Sequence, residues 1–182
     1  KENTTDGNHA SALTFYTRAN GAGTVEQLRI TSQGLLLGGS DSYNNTTLGT
    51  NAGDSFSGTS AEENTLIGYD SGTDISSGDG NTVVGAYAGK DINTGSFNTF
   101  LGRRAGHKIT SGEECVAIGA YSLAESLTAS KNTAVGNMSL RYCTGGQQNS
   151  CHGQGSGYNI TSGSDNTCIG FAAGSTSDYS NS

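Results

Sequence analysis

Large apolar residues never form a long run in this chain; the longest is Leu35-Leu36-Leu37, and elsewhere they recur in ones and twos at a fixed step. From Asn45 the sequence reads Asn45-Thr46-Thr47-Leu48-Gly49, then Asn64-Thr65-Leu66-Ile67-Gly68, Asn81-Thr82-Val83-Val84-Gly85 and Asn98-Thr99-Phe100-Leu101-Gly102. It continues as Cys115-Val116-Ala117-Ile118-Gly119, Asn132-Thr133-Ala134-Val135-Gly136, Asn149-Ser150-Cys151-His152-Gly153 and Asn166-Thr167-Cys168-Ile169-Gly170. The closing glycines are 19 residues apart once and then 17 apart six times, which marks a repeat architecture. Three residues past each glycine stands Ala or Ser, such as Ala88 or Ser122, often followed by a second glycine. Seven past it comes an apolar residue in most copies (Phe56, Ile75, Ile92, Ile109, Cys143, Ile160), and then a third turn signal such as Thr94-Gly95.

A 17-residue unit is too short for paired helices, and its glycines would break them. Two short extended segments separated by glycine turns make one coil of a β-roll or β-solenoid. Stacked at ~4.8 Å, eight coils over residues 38–182 form a rod on the order of 40 Å long. Each repeat position then becomes a ladder. Strand alternation puts the Thr column (Thr46, Thr65, Thr82) on the same face as the aliphatic column (Leu48, Ile67, Val84, Leu101, Ile118, Val135, Ile169). That pair of columns is expected inside. The residue between them, Leu66, Val83, Phe100, Ala117, Ala134, Cys151 or Cys168, is then expected outside, and its apolar character calls for other copies of the chain as cover. The Asn column reads as turn chemistry.

Residues 1–37 lie outside the repeat and read as a β-meander or collar. Ala12–Thr17 and Val25–Ile30 look like strands, joined through an Asn20-Gly21 hairpin signal, with Leu35–Leu37 as a third apolar stretch. The run Leu13-Thr14-Phe15-Tyr16-Thr17, Glu26-Gln27-Leu28-Arg29-Ile30, Ser32-Gln33-Gly34-Leu35-Leu36-Leu37-Gly38 resembles a segment common in bacteriophage and large-virus tail fibres. The Asn-Thr-x-Val-Gly-x-x-Ala-Gly repeats are similar to those of viral fibre proteins, and more distantly to the β-roll heads of trimeric autotransporter adhesins. The autotransporter unit is shorter, and only Cys115-Val116-Ala117-Ile118-Gly119 approaches its form. Both resemblances imply a parallel, intertwined homotrimer that attaches to a host-surface glycan or protein receptor, placed on a virion or otherwise outside the cell.

Composition first speaks against any fold. Gly, Ser, Thr and Asn make up 91 of 182 residues, and Leu, Ile, Val and Phe only 29, a level usual for low-complexity chains. Yet charged residues are 14% and proline is absent, which suits stacked turns better than a solvated linker. Nine Lys+Arg against sixteen Asp+Glu leave no basic footprint for nucleic acid, and no apolar stretch approaches a membrane span. The opening Lys1-Glu2-Asn3, without an initiator Met, reads as cut from a longer chain whose targeting signals lie elsewhere.

Enzyme signatures are missing. No histidine has a nucleophile partner, Gly153-Gln154-Gly155-Ser156-Gly157 is repeat turn sequence, and no cofactor motif follows any glycine-rich loop. His152 stands where other copies carry Leu, Ile or Val; on a threefold axis three such imidazoles could hold a metal, against the plainer reading of a structural histidine. Cys151 and Cys168 share a ladder position in adjacent coils, within disulfide reach, but direct neighbours on parallel strands suit free thiols better. Receptor contact is expected from the two variable positions after each repeat glycine, with Tyr69, Tyr87, Arg103, Arg104, Tyr121, Met138 and Phe171 as candidates. The alternative for those residues is packing between subunits. Two rival roles stand beside attachment: a purely structural spacer, and ice binding, disfavoured by the inward placement expected for the Thr column.

Overall fold

The computed structural model describes residues 13–18, 24–31, 34–36, 44–56 and 60–175. It is all-β and divides into two compact units, 1–42 and 43–182. The first contains an antiparallel sheet of β1 (Leu13–Arg18), β2 (Thr24–Thr31) and β3 (Gly34–Leu36) in sequential order. The pairing of β1 with β2 shifts register between Phe15 and Tyr16. The Asn20-Gly21 turn lies outside the described residues.

The second unit is a β-solenoid. Eight three-residue strands, β4 (Thr46–Leu48), β5 (Thr65–Ile67), β6 (Thr82–Val84), β7 (Thr99–Leu101), β8 (Val116–Ile118), β9 (Thr133–Val135), β10 (Ser150–His152) and β11 (Thr167–Ile169), form one parallel sheet in sequence order. Equivalent repeat positions pair at every step, Thr82 with Thr99, Val83 with Phe100 and Val84 with Leu101. The 17-residue period sets this register.

Each coil carries one strand among the described residues, where two extended segments were expected. The reason is local. After the repeat glycine the chain makes successive tight turns, with Ala88 N–H donating to Gly85 O (3.2 Å) and Ile92 N–H to Gly89 O (3.2 Å). Backbone bonds between coils continue around these turns, for example Gly89 N–H to Ala105 O (2.9 Å) and Asp91 N–H to His107 O (3.0 Å). The turning sides are therefore laddered as fully as the sheet.

The faces of the sheet are the reverse of those expected. Leu66, Val83, Phe100, Ala117, Ala134 and Cys151 are fully buried, while the Thr column and the aliphatic column point outward, Leu101 at 48% exposure and Ile169 at 74%. The Asn column decides this parity. Asn98 Nδ2 donates to Asn81 Oδ1 in the preceding coil (3.1 Å) and to Gly112 O fourteen residues on (2.9 Å), and Asn98 N–H donates to the same Asn81 oxygen (3.0 Å). Equivalent bonds recur at Asn64, Asn81, Asn149 and Asn166. These amides are 0–1% exposed, so Asn faces the lumen and alternation carries the residue two further along inward with it. The Asn column is thus an internal amide ladder and not the turn device expected; the left-handed residue is the one before it, Phe97 or Lys131 (φ 58° and 60°).

Inside the lumen, the size of one residue is matched by another across five consecutive coils. Where the inward strand residue is large, as in Leu66, Val83 and Phe100, the position six residues later is glycine: Gly72, Gly89 and Gly106. A Cβ on Gly106 would fall 2.4 Å from the Phe100 ring. Where the strand residue shrinks to Ala117 or Ala134, the glycine becomes Leu123 or Leu140, both fully buried and both held at positive φ (51° and 48°). A branched side chain in the left-handed region costs about 1 kcal/mol, offset here by filling the space that alanine leaves. The repeat glycines meet a harder limit. At Gly102 (φ 137°) a Cβ would lie 2.7 Å from the backbone carbon of Gly119 in the next coil.

Candidate functional site

Two surfaces of the solenoid carry chemistry. The first is the outward face of the sheet. It presents Thr46, Thr65, Thr82, Thr99, Val116, Thr133, Ser150 and Thr167 in one column and Leu48, Ile67, Val84, Leu101, Ile118, Val135, His152 and Ile169 in the other. No side chain in either column is acidic, Lys or Arg. Leu48, Ile67, Leu101 and Ile169 stand exposed on it, aliphatic side chains stacked on a parallel sheet beside a column of hydroxyls. His152 lies on it, exposed, its Nε2 3.3 Å from Ser150 Oγ. Among the described residues of one chain, no group of three His, Cys, Asp or Glu could hold a metal ion.

The second surface runs along the corner that follows the sheet. The second residue after each repeat glycine sits in the left-handed region, with φ of 59° at Tyr87 and 58° at Arg104, Tyr121 and Met138. Each is anchored by a backbone bond to the coil before it: Tyr87 N–H to Tyr69 O (2.8 Å), Arg104 to Ala86 O (3.0 Å), Tyr121 to Arg103 O (3.0 Å) and Met138 to Ala120 O (2.9 Å). Left-handed geometry in non-glycine residues is uncommon, and its repetition here aligns successive side chains on one edge.

Those side chains interleave. Tyr69 meets Tyr87 edge-on with ring centroids 5.3 Å apart. The Arg104 guanidinium lies 5.5 Å from the Tyr87 ring and 5.8 Å from that of Tyr121. Arg103 stands 5.3 Å from the Tyr121 ring, and its Nη1 donates to the Tyr121 hydroxyl. Arg141 approaches Tyr121 at 5.0 Å and Tyr142 at 5.3 Å, and Tyr142 meets Tyr158 edge-on at 5.1 Å. Met138 joins through its sulfur, 3.8 Å from Arg141 Nη1. His107 flanks Tyr87 at 6.5 Å, and burial, more than any neighbouring charge, lowers its pKa from the usual value. Tyr69 is shifted upward, chiefly by Asp70 beside it.

Six of the seven residues singled out from the sequence, Tyr69, Tyr87, Arg103, Arg104, Tyr121 and Met138, therefore share one strip. Phe171 stands in the last described coil, 79% exposed. Sequence reasoning missed His107, Arg141, Tyr142 and Tyr158. They occupy the tenth and eleventh repeat positions, and a search confined to the two residues after each glycine passes over them. Cys151 and Cys168 are directly paired in register and remain unbridged, buried thiols; burial is the main cause raising the Cys151 thiol well above its ordinary range.

No family model, curated protein or solved structure is significantly similar to this chain. Among the described residues, no helix is long and apolar enough to cross a membrane.

Proposed function

We propose that this chain is a non-catalytic segment of a virus or phage tail fibre, assembled as a parallel homotrimer and mediating attachment to a host surface. The observation that carries the proposal is the outward sheet face: two uncharged columns, largely aliphatic and Thr, running the length of a stiff solenoid. The interior is already full, so a second apolar surface of this extent is best covered by matching columns from identical chains in register. Three copies would surround an axis lined by Leu48, Ile67, Val84, Leu101, Ile118, Val135 and Ile169, with His152 near one end. The Tyr/Arg strip lies around the corner from that face and would stay available in every copy. Three copies of a weak site then add through linkage. The resemblance of the N-terminal run and of the repeats to tail-fibre proteins supports the same reading. The test is the solution mass of the 182-residue chain, with host attachment as the second readout. A trimer that Leu101→Lys converts to monomer is expected, and a monodisperse wild-type monomer would overturn it.

Ice binding is favoured by one specific observation. The Thr column faces outward, which removes the ground on which it was disfavoured, and the ~4.8 Å strand spacing repeats its hydroxyls at a regular step. Thermal hysteresis by the purified chain, lost in Thr82→Lys and Thr99→Lys, would establish this role in place of assembly through the same face.

A further inference from the structure

Among the described residues of the solenoid, the Tyr/Arg strip gathers the three arginines, with Asp70, Asp91 and Glu125 as its acidic neighbours. The chain is acidic overall, with a formal net charge of −7, yet Arg103, Arg104 and Arg141 all stand on one edge of the solenoid. The neighbouring charges pair among themselves: Lys90 Nζ lies 3.7 Å from Asp91, and Lys108 Nζ 2.6 Å from Glu125. None of the three arginines has a carboxylate within ion-pair distance among the described residues. Their close neighbours are instead the rings of Tyr87, Tyr121 and Tyr142. The Nε atoms of Arg104 and Arg141 are buried without a hydrogen-bond acceptor, a costly arrangement for a donor on a cation. The terminal Nη donors of such a guanidinium can fork onto the two oxygens of a carboxylate or onto two oxygens of a sulfate.

Spacing narrows the ligand further. Arg103 and Arg104 belong to the coil of β7 and Arg141 to the coil of β9, and all three guanidiniums converge on the Tyr121 ring of the coil between them, at 5.3, 5.8 and 5.0 Å from its centroid. The intervening tyrosine faces and edges continue in both directions, from Tyr69 to Tyr158. A small anion could use this cluster but would leave the aromatic rings on either side of it unused. A linear acidic polymer can place its charged groups on the arginines and its sugar faces on the flanking rings, from Tyr69 at one end to Tyr158 at the other.

We infer that this strip binds a linear anionic polysaccharide, carboxylated or sulfated, laid along the solenoid across successive coils. The inference rests on the attachment reading for its biological sense and names the receptor class of that same site. Immobilised heparin and polysialic acid distinguish sulfate from carboxylate as the preferred group, with neutral dextran as control. The 182-residue chain is expected to bind at least one acidic polymer and not dextran, more weakly as salt rises. Replacing Arg103, Arg104 and Arg141 together by Ala should weaken that binding by roughly tenfold or more. Lys131→Ala, an exposed cation at another corner, should leave it unchanged. Thermal melts of both variants verify folding, and Arg104→Gln with Arg141→Gln gives a milder pair in case the triple variant fails to fold. Absence of binding to either acidic polymer at low ionic strength would overturn the inference, as would equal binding by wild type and arginine variants. The two proposals fail separately: a monomer that binds acidic polymer through these arginines loses the trimer alone, whereas a trimer whose attachment ignores them loses the strip alone.

Discussion

The lumen of the solenoid and the outward face of its sheet are built from the same three-residue strands, yet they obey different rules. Inside, residues are tied to their counterparts in the next coil and fitted to one another in size. Asn amides link coil to coil, Ser122 Oγ donates to Ala134 O (2.9 Å) and Ser139 Oγ to Cys151 O (3.1 Å), and the exchange of Phe100/Gly106 for Ala117/Leu123 keeps the cross-section filled. Outside, Leu, Ile, Val and even His152 occupy one column with no volume partner in the same chain. A repeat protein can therefore bury small and polar residues while exposing aliphatic ones. Interior membership is decided by hydrogen-bond satisfaction and by lumen width as much as by hydrophobicity.

The contrast breaks most completely at a repeat glycine. Gly102→Ala puts a Cβ against the Gly119 backbone and demands a φ that alanine avoids, so a loss of more than about 4 kcal/mol is expected, seen as failure to refold or as collapse of the denaturation midpoint. Next comes the amide ladder. Asn98→Ala removes the acceptor of the Cys115 N–H (3.0 Å) and the donor to Gly112 O (2.9 Å), leaving both unpaired in a dry lumen. Chemical denaturation should show a cost of about 3 kcal/mol, and Asn98→Asp should not rescue it because a carboxylate lacks the donor.

Cys115 sharpens the comparison through pH. It takes the place of Asn in the ladder, its Sγ 3.2 Å from Ala129 O, and burial pushes its thiol up from an ordinary value near 9 to about 11. Below pH 9 the thiol is neutral in both states and its contribution is intact. As pH rises from 9 toward 11 the unfolded chain gives up this proton while the folded chain keeps it, so stability falls with pH in that window, by about 2–3 kcal/mol at its upper end. Comparing melts of wild type and Cys115→Ser between pH 8 and 11 isolates this contribution; equal slopes would disprove it.

The smallest expected effect is on the outward face. Thr99→Lys replaces an exposed side chain with no bond across the lumen, so the stability of a single chain should change by less than about 0.5 kcal/mol. A melt shifted by several degrees, with no change in assembly, would show that this face is bound within the chain after all.

Much of the fold was legible. The 17-residue step and the stacking of equivalent positions into one repeated sheet follow from spacing. The second strand expected in each coil was not there, because the chain turns twice in succession after the repeat glycine, through a left-handed residue four positions on that is Gly89 or Gly106 in some coils and Leu123 or Leu140 in others. The strip was half legible: the positions after each glycine point to Tyr87, Arg104 and Tyr121, but Arg141 and Tyr142 reach the same edge only because the chain turns back on itself within a coil.

From the sequence alone came periodicity, and periodicity determined what stacks on what, since equal spacing forces like residues into columns ~4.8 Å apart. Alternation likewise determined which residues share a face. It left open which of the two faces is the inner one, because a three-residue strand reads equally well from either side. The tertiary structure settled that through the Asn amides, whose donors find Gly112 O and its equivalents fourteen residues away only when they point into the lumen. Buried amides must be satisfied and exposed methyl groups need not be, so the polar column went inside and the aliphatic column was left outside.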